Sequence, residues 1–244
     1  LKFSETEKQC VIEEISKLEK KDIVRKVNPV EGQFISNIFL RPKKDGSFRV
    51  ILNLKKLNEA IEKTLIGLKR NIRVTDDRKR LVAYHEAGHA LMGALVDGPE
   101  TIQKVSIVPR GKTGGVTIFF PPDDQNTNMV TKEYMRNRIL VALGGTVAEE
   151  IIYGVDNITV GASGDIQQIT DISRSMIQRF GFGKSKVIRN EDDIKAEVDE
   201  LVDTAYKETK SMISTYKDKL ELIADALVEN ETLDSKQLSA ILRN

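Results

Sequence analysis

Cysteine is almost missing from this chain of 244 residues: Cys10 stands alone, so no internal disulfide can form and nothing argues for an oxidising compartment. A zinc site built on cysteines is excluded with it. Histidine is nearly as scarce, with His85 and His89 the only two, so any imidazole chemistry rests on one short stretch. Long apolar runs are absent as well. Ile139-Leu140-Val141-Ala142-Leu143 is among the longest, far short of the ~18–20 residues a membrane span needs. A surplus of charge is lacking too: 38 basic against 37 acidic side chains leave +1, with no global pull toward nucleic acid or anionic lipid. With 40% hydrophobic and 31% charged residues the composition is globular, which excludes wholesale disorder, collagen-like repeats and low-complexity arrays. The length suits one large or two small domains. The first residue is Leu and no signal peptide follows, the expectation for a sequence that starts inside a larger product.

The charge balance conceals an asymmetry. Residues 1–64 hold 14 basic and 10 acidic side chains, whereas residues 191–244 hold 7 and 14. Ser4 and Glu7 have the spacing of a capping box, and Cys10, Val11, Ile15, Leu18 and Ile23 share a face, so a helix is predicted over 4–27. Two β-rich runs, Phe34 to Leu40 and Ser47 to Leu54, flank Arg41-Pro42-Lys43-Lys44-Asp45-Gly46, which predicts a hairpin with a basic tip. Apolar residues at spacings of three and four predict a helix over 75–96. Strands are expected over 102–109 and 115–120, and helices over 131–153 and 164–180, the latter two split by a loop containing Gly161-Ala162-Ser163-Gly164. The acidic end reads as helices from Glu191 to about Lys219, on through Val228, and from Ser235.

The chemistry concentrates in His85-Glu86-Ala87-Gly88-His89. Four apart on a helix, His85 and His89 project from one face a turn from each other, as two imidazoles must to share a zinc ion. Glu86 beside them is placed to act as a general base on water and later to protonate a leaving amine. A catalytic zinc usually takes a third protein ligand, and with no further histidine it must be a carboxylate. Asp165, at the start of a predicted helix, is the first candidate; Glu149 and Glu150 are the others, and either could instead orient a ligating imidazole from behind.

Several stretches then fall into a recognisable order: Arg80-Leu81-Val82-Ala83-Tyr84-His85-Glu86-Ala87-Gly88-His89-Ala90-Leu91, Val108-Pro109-Arg110-Gly111 with Gly114-Gly115-Val116-Thr117, and Ala142-Leu143-Gly144-Gly145 with Ala148-Glu149-Glu150. Thr159-Val160-Gly161-Ala162-Ser163-Gly164-Asp165-Ile166 and Arg179-Phe180-Gly181-Phe182 follow. From about Ala60 to Leu242 the chain resembles the peptidase domain of the FtsH family, ATP-dependent zinc metalloproteases, and its plastid and cyanobacterial branch in particular. The resemblance implies that His85, His89 and Asp165 ligate one Zn2+, that Glu86 is the catalytic base, and that Glu149 supports the ligands. It implies a substrate-binding strand at Gly115, Val116 and Thr117 that receives an extended peptide by edge addition. It further implies unfolded or damaged proteins as substrates, a homo- or hetero-hexamer with AAA ATPase subunits as partners, and association with a plastid, mitochondrial or bacterial inner membrane. Two departures stand out. No Gly-x-x-x-x-Gly-Lys-Ser/Thr occurs, since Gly183-Lys184-Ser185 has Gln178 where the earlier glycine belongs, so no ATP site is expected in these residues. The loop after Phe182 is also short for the family.

Residues 1–60 resemble something else, the fingers of a retrotransposon reverse transcriptase, through Phe34-Ile35-Ser36-Asn37-Ile38-Phe39-Leu40-Arg41-Pro42-Lys43-Lys44-Asp45-Gly46-Ser47-Phe48-Arg49-Val50-Ile51-Leu52-Asn53-Leu54. That resemblance implies triphosphate contacts from Lys43, Lys44 and Arg49, but the palm and its paired aspartates do not follow, and no specific nucleic-acid binding is expected. The join near Ala60 to Thr64 reads as a gene fusion, a transposon insertion or an assembly artefact. The expected fold is α+β: residues 1–60 a helix plus β-hairpin fragment, and residues 61–244 a mainly helical zinc-peptidase domain with a small β element. The expected function is zinc-dependent endopeptidase activity; the alternatives are a catalytically silent zinc-binding assembly domain and a nucleic-acid-binding polymerase fragment.

Overall fold

Thr75 and Thr131 each stand in extended backbone and accept the N–H three residues on, from Arg78 and Tyr134, so each supplies the acceptor that a helix start lacks. They open the two helices on which the site is built. In the computed structural model, residues 4–20, 38–42, 48–52, 67–68, 70, 74–96, 101–111, 113–120, 130–184, 186 and 190–243 are described. The chain forms two compact units, Leu1–Leu68 and Lys69–Asn244.

In the first unit a helix, α1 (Glu5–Lys20), precedes an antiparallel pair, β1 (Ile38–Pro42) and β2 (Phe48–Leu52), in which Ile38 faces Leu52 and Pro42 faces Phe48. β1 therefore runs through Arg41 and Pro42, which the sequence reading assigned to the turn. Proline is tolerated there because a terminal ladder position on an edge strand does not require its missing N–H. The helix beyond Lys20 and the basic tip with Lys43 and Lys44 lie outside the described residues.

The second unit is a helical bundle with a three-stranded sheet beside it. Its elements are α2 (Asp76–Leu95), β3 (Thr101–Ser106), β4 (Val116–Phe120), α3 (Lys132–Tyr153), α4 (Ser163–Arg174), α5 (Glu191–Thr215), α6 (Lys217–Asn230), β5 (Thr232–Asp234) and α7 (Ser235–Arg243). α2 is buried continuously from Ala83 to Met92, which makes it the central helix and not a surface one. Leu91 and Met92 pack in one core with Ile139 and Leu140 of α3, Ile213 of α5, and Leu220, Ile223 and Leu227 of α6. No helix among the described residues is long and apolar enough to cross a membrane.

The sheet order is β4-β3-β5, all antiparallel. β3 ends at Ser106, short of the expected Pro109, because the chain turns toward α6: Ile107 donates its N–H to Glu231 O at 3.0 Å. Glu231, at φ 59, is a left-handed link that turns the end of α6 into β5. β5 went unread in the sequence, where residues 229–234 stood as a break between helices. Two other boundaries differ. α4 gives way at Ser175 to a π turn through Arg179, and the expected loop at 161–164 is a 3-10 turn, Val160–Ala162, running directly into α4. The acidic helix expected to reach Lys219 breaks at Tyr216, where the backbone leaves helical geometry.

Candidate metal centre

Helical periodicity puts His85 and His89 on the face of α2 that looks across to α3, and their Nε2 atoms come within 3.1 Å of each other. The rings meet edge to face at 82°, with centroids 4.7 Å apart. Each ring is turned by its other nitrogen. His85 Nδ1 donates to Glu149 Oε1 at 2.7 Å, and His89 Nδ1 donates to the Val141 carbonyl at 2.8 Å. With both Nδ1 atoms engaged on α3, both Nε2 atoms face the same small space.

Asp165, in the first turn of α4, closes that space. Its Oδ2 lies 3.3 Å from His85 Nε2 and 3.5 Å from His89 Nε2. His85, His89 and Asp165 are the group of three among the described residues whose ligand atoms converge closely enough to hold a metal ion. The fit can be tested on the edges of the triangle: two ligands at ~2.0–2.1 Å from a tetrahedral zinc stand roughly 3.3–3.4 Å apart. The observed 3.1, 3.3 and 3.5 Å bracket that value. Gly145 of α3 supplies a second test, because a Cβ there would fall 2.6 Å from both Nε2 atoms. The cradle exists because that position carries no side chain.

The other two acids go elsewhere. Glu149, 1% exposed, accepts from His85, from the Thr159 N–H at 2.8 Å and from the Thr159 hydroxyl at 3.4 Å. Burial works to raise its pKa, but these donors outweigh burial and hold it below the usual carboxylate range. Glu150 faces α5, bound to Lys210 Nζ at 2.7 Å and to the Tyr206 hydroxyl at 2.5 Å. Neither reaches the Nε2 face.

Glu86 is buried between α2 and the sheet, where Thr117 Oγ1 of β4 donates to its Oε2 at 2.8 Å. Gly115, just before β4, passes so close that a Cβ would lie 2.7 Å from Glu86 Oε1. Burial pushes the Glu86 carboxyl above its ordinary range despite the opposing pull of His89, His85 and Thr117, a direction suited to a group that must accept and return a proton. At Asp165 burial is the largest influence and raises the pKa, but the contacts to His85 and His89 overcome it and bring the carboxyl below its ordinary value. A ring of negative charge around two imidazoles favours a cation in the middle.

Of the expected strand residues, Val116 and Thr117 open β4, while Gly115 immediately precedes it. β4 has β3 on one side, and among the described residues its other edge carries no strand. Three contributors escaped the sequence reading: Gly145, the Val141 carbonyl and Thr159. Only the first left a signal. Adjacent glycines inside a helical pattern cost roughly 0.5–1 kcal/mol each relative to alanine, which marks a place where something approaches closely.

Two segments of the chain, residues 72–193 and 185–241, match the model of peptidase family M41. ATP-dependent zinc metalloprotease FtsH 3 of Synechocystis is 38% identical over 219 residues, covering 79% of this chain and 36% of that protein. FTSH 1, chloroplastic, of Arabidopsis thaliana is 38% identical over 211 residues, with 76% and 30% covered. An FtsH protein of Synechococcus is 39% identical over 218 residues, with 79% and 34% covered. The chain thus spans about a third of the length of the curated relatives it matches.

Proposed function

The chain belongs to peptidase family M41, and on that premise we propose that it is a zinc-dependent endopeptidase in which His85, His89 and Asp165 hold one zinc ion and Glu86 is the general base. The observation that carries this reading is the convergence of three ligand atoms on a space whose size suits zinc, with the buried Glu86 carboxylate directly after the first histidine. Zinc bound there supplies Lewis-acid polarisation of a peptide carbonyl and makes water more acidic. Glu86 takes the proton of the attacking water and delivers it to the amine that leaves. Thr117 holds the Glu86 carboxylate in place while this happens. Glu149 and the Val141 carbonyl keep the two imidazoles in the tautomer and orientation that ligation requires.

The edge of β4 that faces away from β3 receives the substrate. A peptide that adds there pairs through its backbone, so it must be extended and its sequence matters less than its lack of fold. Unfolded or damaged proteins are therefore the substrates. The activity resides in residues 61–244, and residues 1–60 form a separate piece that takes no part in hydrolysis. The relatives' names connect ATP to the reaction. By the family resemblance the working assembly is a homo- or hetero-hexamer with AAA ATPase subunits, associated with a plastid, mitochondrial or bacterial inner membrane.

The test is casein digestion by the zinc-loaded chain and by Glu86→Gln. The amide keeps the size of the side chain but cannot accept a proton, so metal content should stay at one per chain while the rate falls by ~10²–10⁴. Near-normal cleavage by the zinc-loaded variant would sink the mechanism.

A further inference from the structure

Asp165 reaches the imidazoles from a helix that has no side-chain cap of its own: α4 begins at Ser163 with Ala162 in the capping position. Its packing is narrow: only Ile169 and Ser173 of α4 are buried, with Ile172 half-buried against the same core. The Asp165 side chain is itself 24% exposed, against 11% and 10% for the two histidines. The start of α4 is set instead by the 3-10 turn before it, whose Val160 carbonyl accepts the Ser163 N–H. Thr159 caps that turn, its hydroxyl accepting the Gly161 N–H at 3.3 Å. The same hydroxyl donates to Glu149 Oε1 at 3.4 Å while the Thr159 N–H donates to Oε2 at 2.8 Å. Oε1 is also the acceptor for His85 Nδ1. Gly161 permits this approach, because a Cβ there would press to 3.1 Å from Thr159 Oγ1.

We infer that Thr159 is the positioning residue for Asp165: through its hydroxyl it fastens the turn that carries Asp165 to Glu149, so that a single buried carboxylate registers ligands from two different helices. This rests on the ligand set proposed above. With few buried residues of its own, α4 takes its register at Asp165 from the preceding turn as well as from packing. The hydroxyl is suited to the task because it donates to Glu149 and accepts from Gly161 at the same time.

The experiment measures zinc affinity of the full chain by competition with a chromophoric chelator, together with the visible spectrum of the cobalt-substituted protein, for Thr159→Val, Thr159→Ser and Asp165→Ala. Loss of a partner behind a ligand typically lowers metal affinity ~10–100-fold, and Thr159→Val should fall at the lower end of that range. Its cobalt spectrum should move toward that of Asp165→Ala, while Thr159→Ser, which keeps the hydroxyl, stays near wild type. Should Thr159→Val not fold, Gly161→Ala, which displaces the hydroxyl without removing it, is expected to give the same two changes. Wild-type affinity in Thr159→Val, equal losses in the valine and serine variants, or weaker binding with an unchanged cobalt spectrum would each overturn the inference. Zinc affinity untouched by Asp165→Ala would instead overturn the ligand set beneath it.

Discussion

Gly88 of α2 and Gly144 of α3 meet backbone to backbone: a Cβ on Gly144 would stand 2.6 Å from the Gly88 carbonyl oxygen, and one on Gly88 would strike the Gly144 carbonyl in return. This contact brings the two helices close enough for His85 to reach Glu149 and for His89 to reach the Val141 carbonyl. The candidate metal centre therefore depends on the close approach of two glycines that offer no side chain to it.

Gly88→Ala and Gly144→Ala should each destabilise the metal-free protein by about 1–3 kcal/mol, the usual cost of forcing a methyl into a filled core. Gly164 is the control, since a Cβ there meets nothing within 4 Å. Alanine at that helical position should be neutral or stabilising by about 0.4–1 kcal/mol. Urea unfolding of the three variants checks the contrast, and equal stability in all three would refute the close-contact account.

Gly145→Ala should abolish stoichiometric zinc binding while leaving helix content unchanged. Its Cβ would sit 2.6 Å from the Nε2 atoms of both His85 and His89, in the space the ion needs. Equilibrium dialysis beside circular dichroism separates this outcome from simple unfolding. Retention of one zinc per chain would show that the cradle lies elsewhere.

Zinc affinity should fall with falling pH, and the sign follows from His85. Burial works to lower its pKa, but hydrogen bonds to Asp165 and Glu149, with Glu86 close by, outweigh burial and push it up to about 10 in the metal-free protein. The ordinary histidine value is about 6.5. The stability that this proton lends the metal-free fold is therefore complete below about pH 6.5 and is lost as pH rises through about 10. Zinc must displace the same proton, so each unit of acidification below about 10 costs roughly tenfold in affinity per proton released. Asp165, already held below its ordinary value by the two imidazoles, releases none. Calorimetry in buffers of different ionisation enthalpy, at about pH 7.5, should show His85 contributing one proton; binding without proton release would contradict the arrangement.

Hydrolysis by this chain should be indifferent to ATP and restricted to unfolded substrates. The 244 residues contain no phosphate-binding loop of the Gly-x-x-x-x-Gly-Lys-Ser/Thr type. Freeing a strand from a folded protein requires work against about 5–15 kcal/mol of stability. Casein and a stably folded protein, each digested with and without ATP, make the comparison. ATP-stimulated loss of the folded substrate would reveal a motor within these residues.

Helical periodicity alone determined that His85 and His89 share a face, because their spacing matches one turn of any α-helix, and that Glu86 stands beside that face. Apolar residues at spacings of three and four likewise made the main helices legible, since that periodicity is a local property of the helical backbone. The choice among Asp165, Glu149 and Glu150 was not local. Glu149 and Glu150 are neighbours in sequence, yet a helix separates successive side chains by about 100°. One therefore turns to His85 and the other to Lys210 and Tyr206. Only the packing of α3 against α2 and α5 decides which faces which. β5 is three residues long and carries no pattern of its own; it exists because Glu231 turns the chain back beside β3. The place of Asp165 beside the two imidazoles, the carboxylate behind the first histidine and the strand that closes the far side of the sheet all depend on contacts between residues distant in the chain, and no local pattern encodes such contacts.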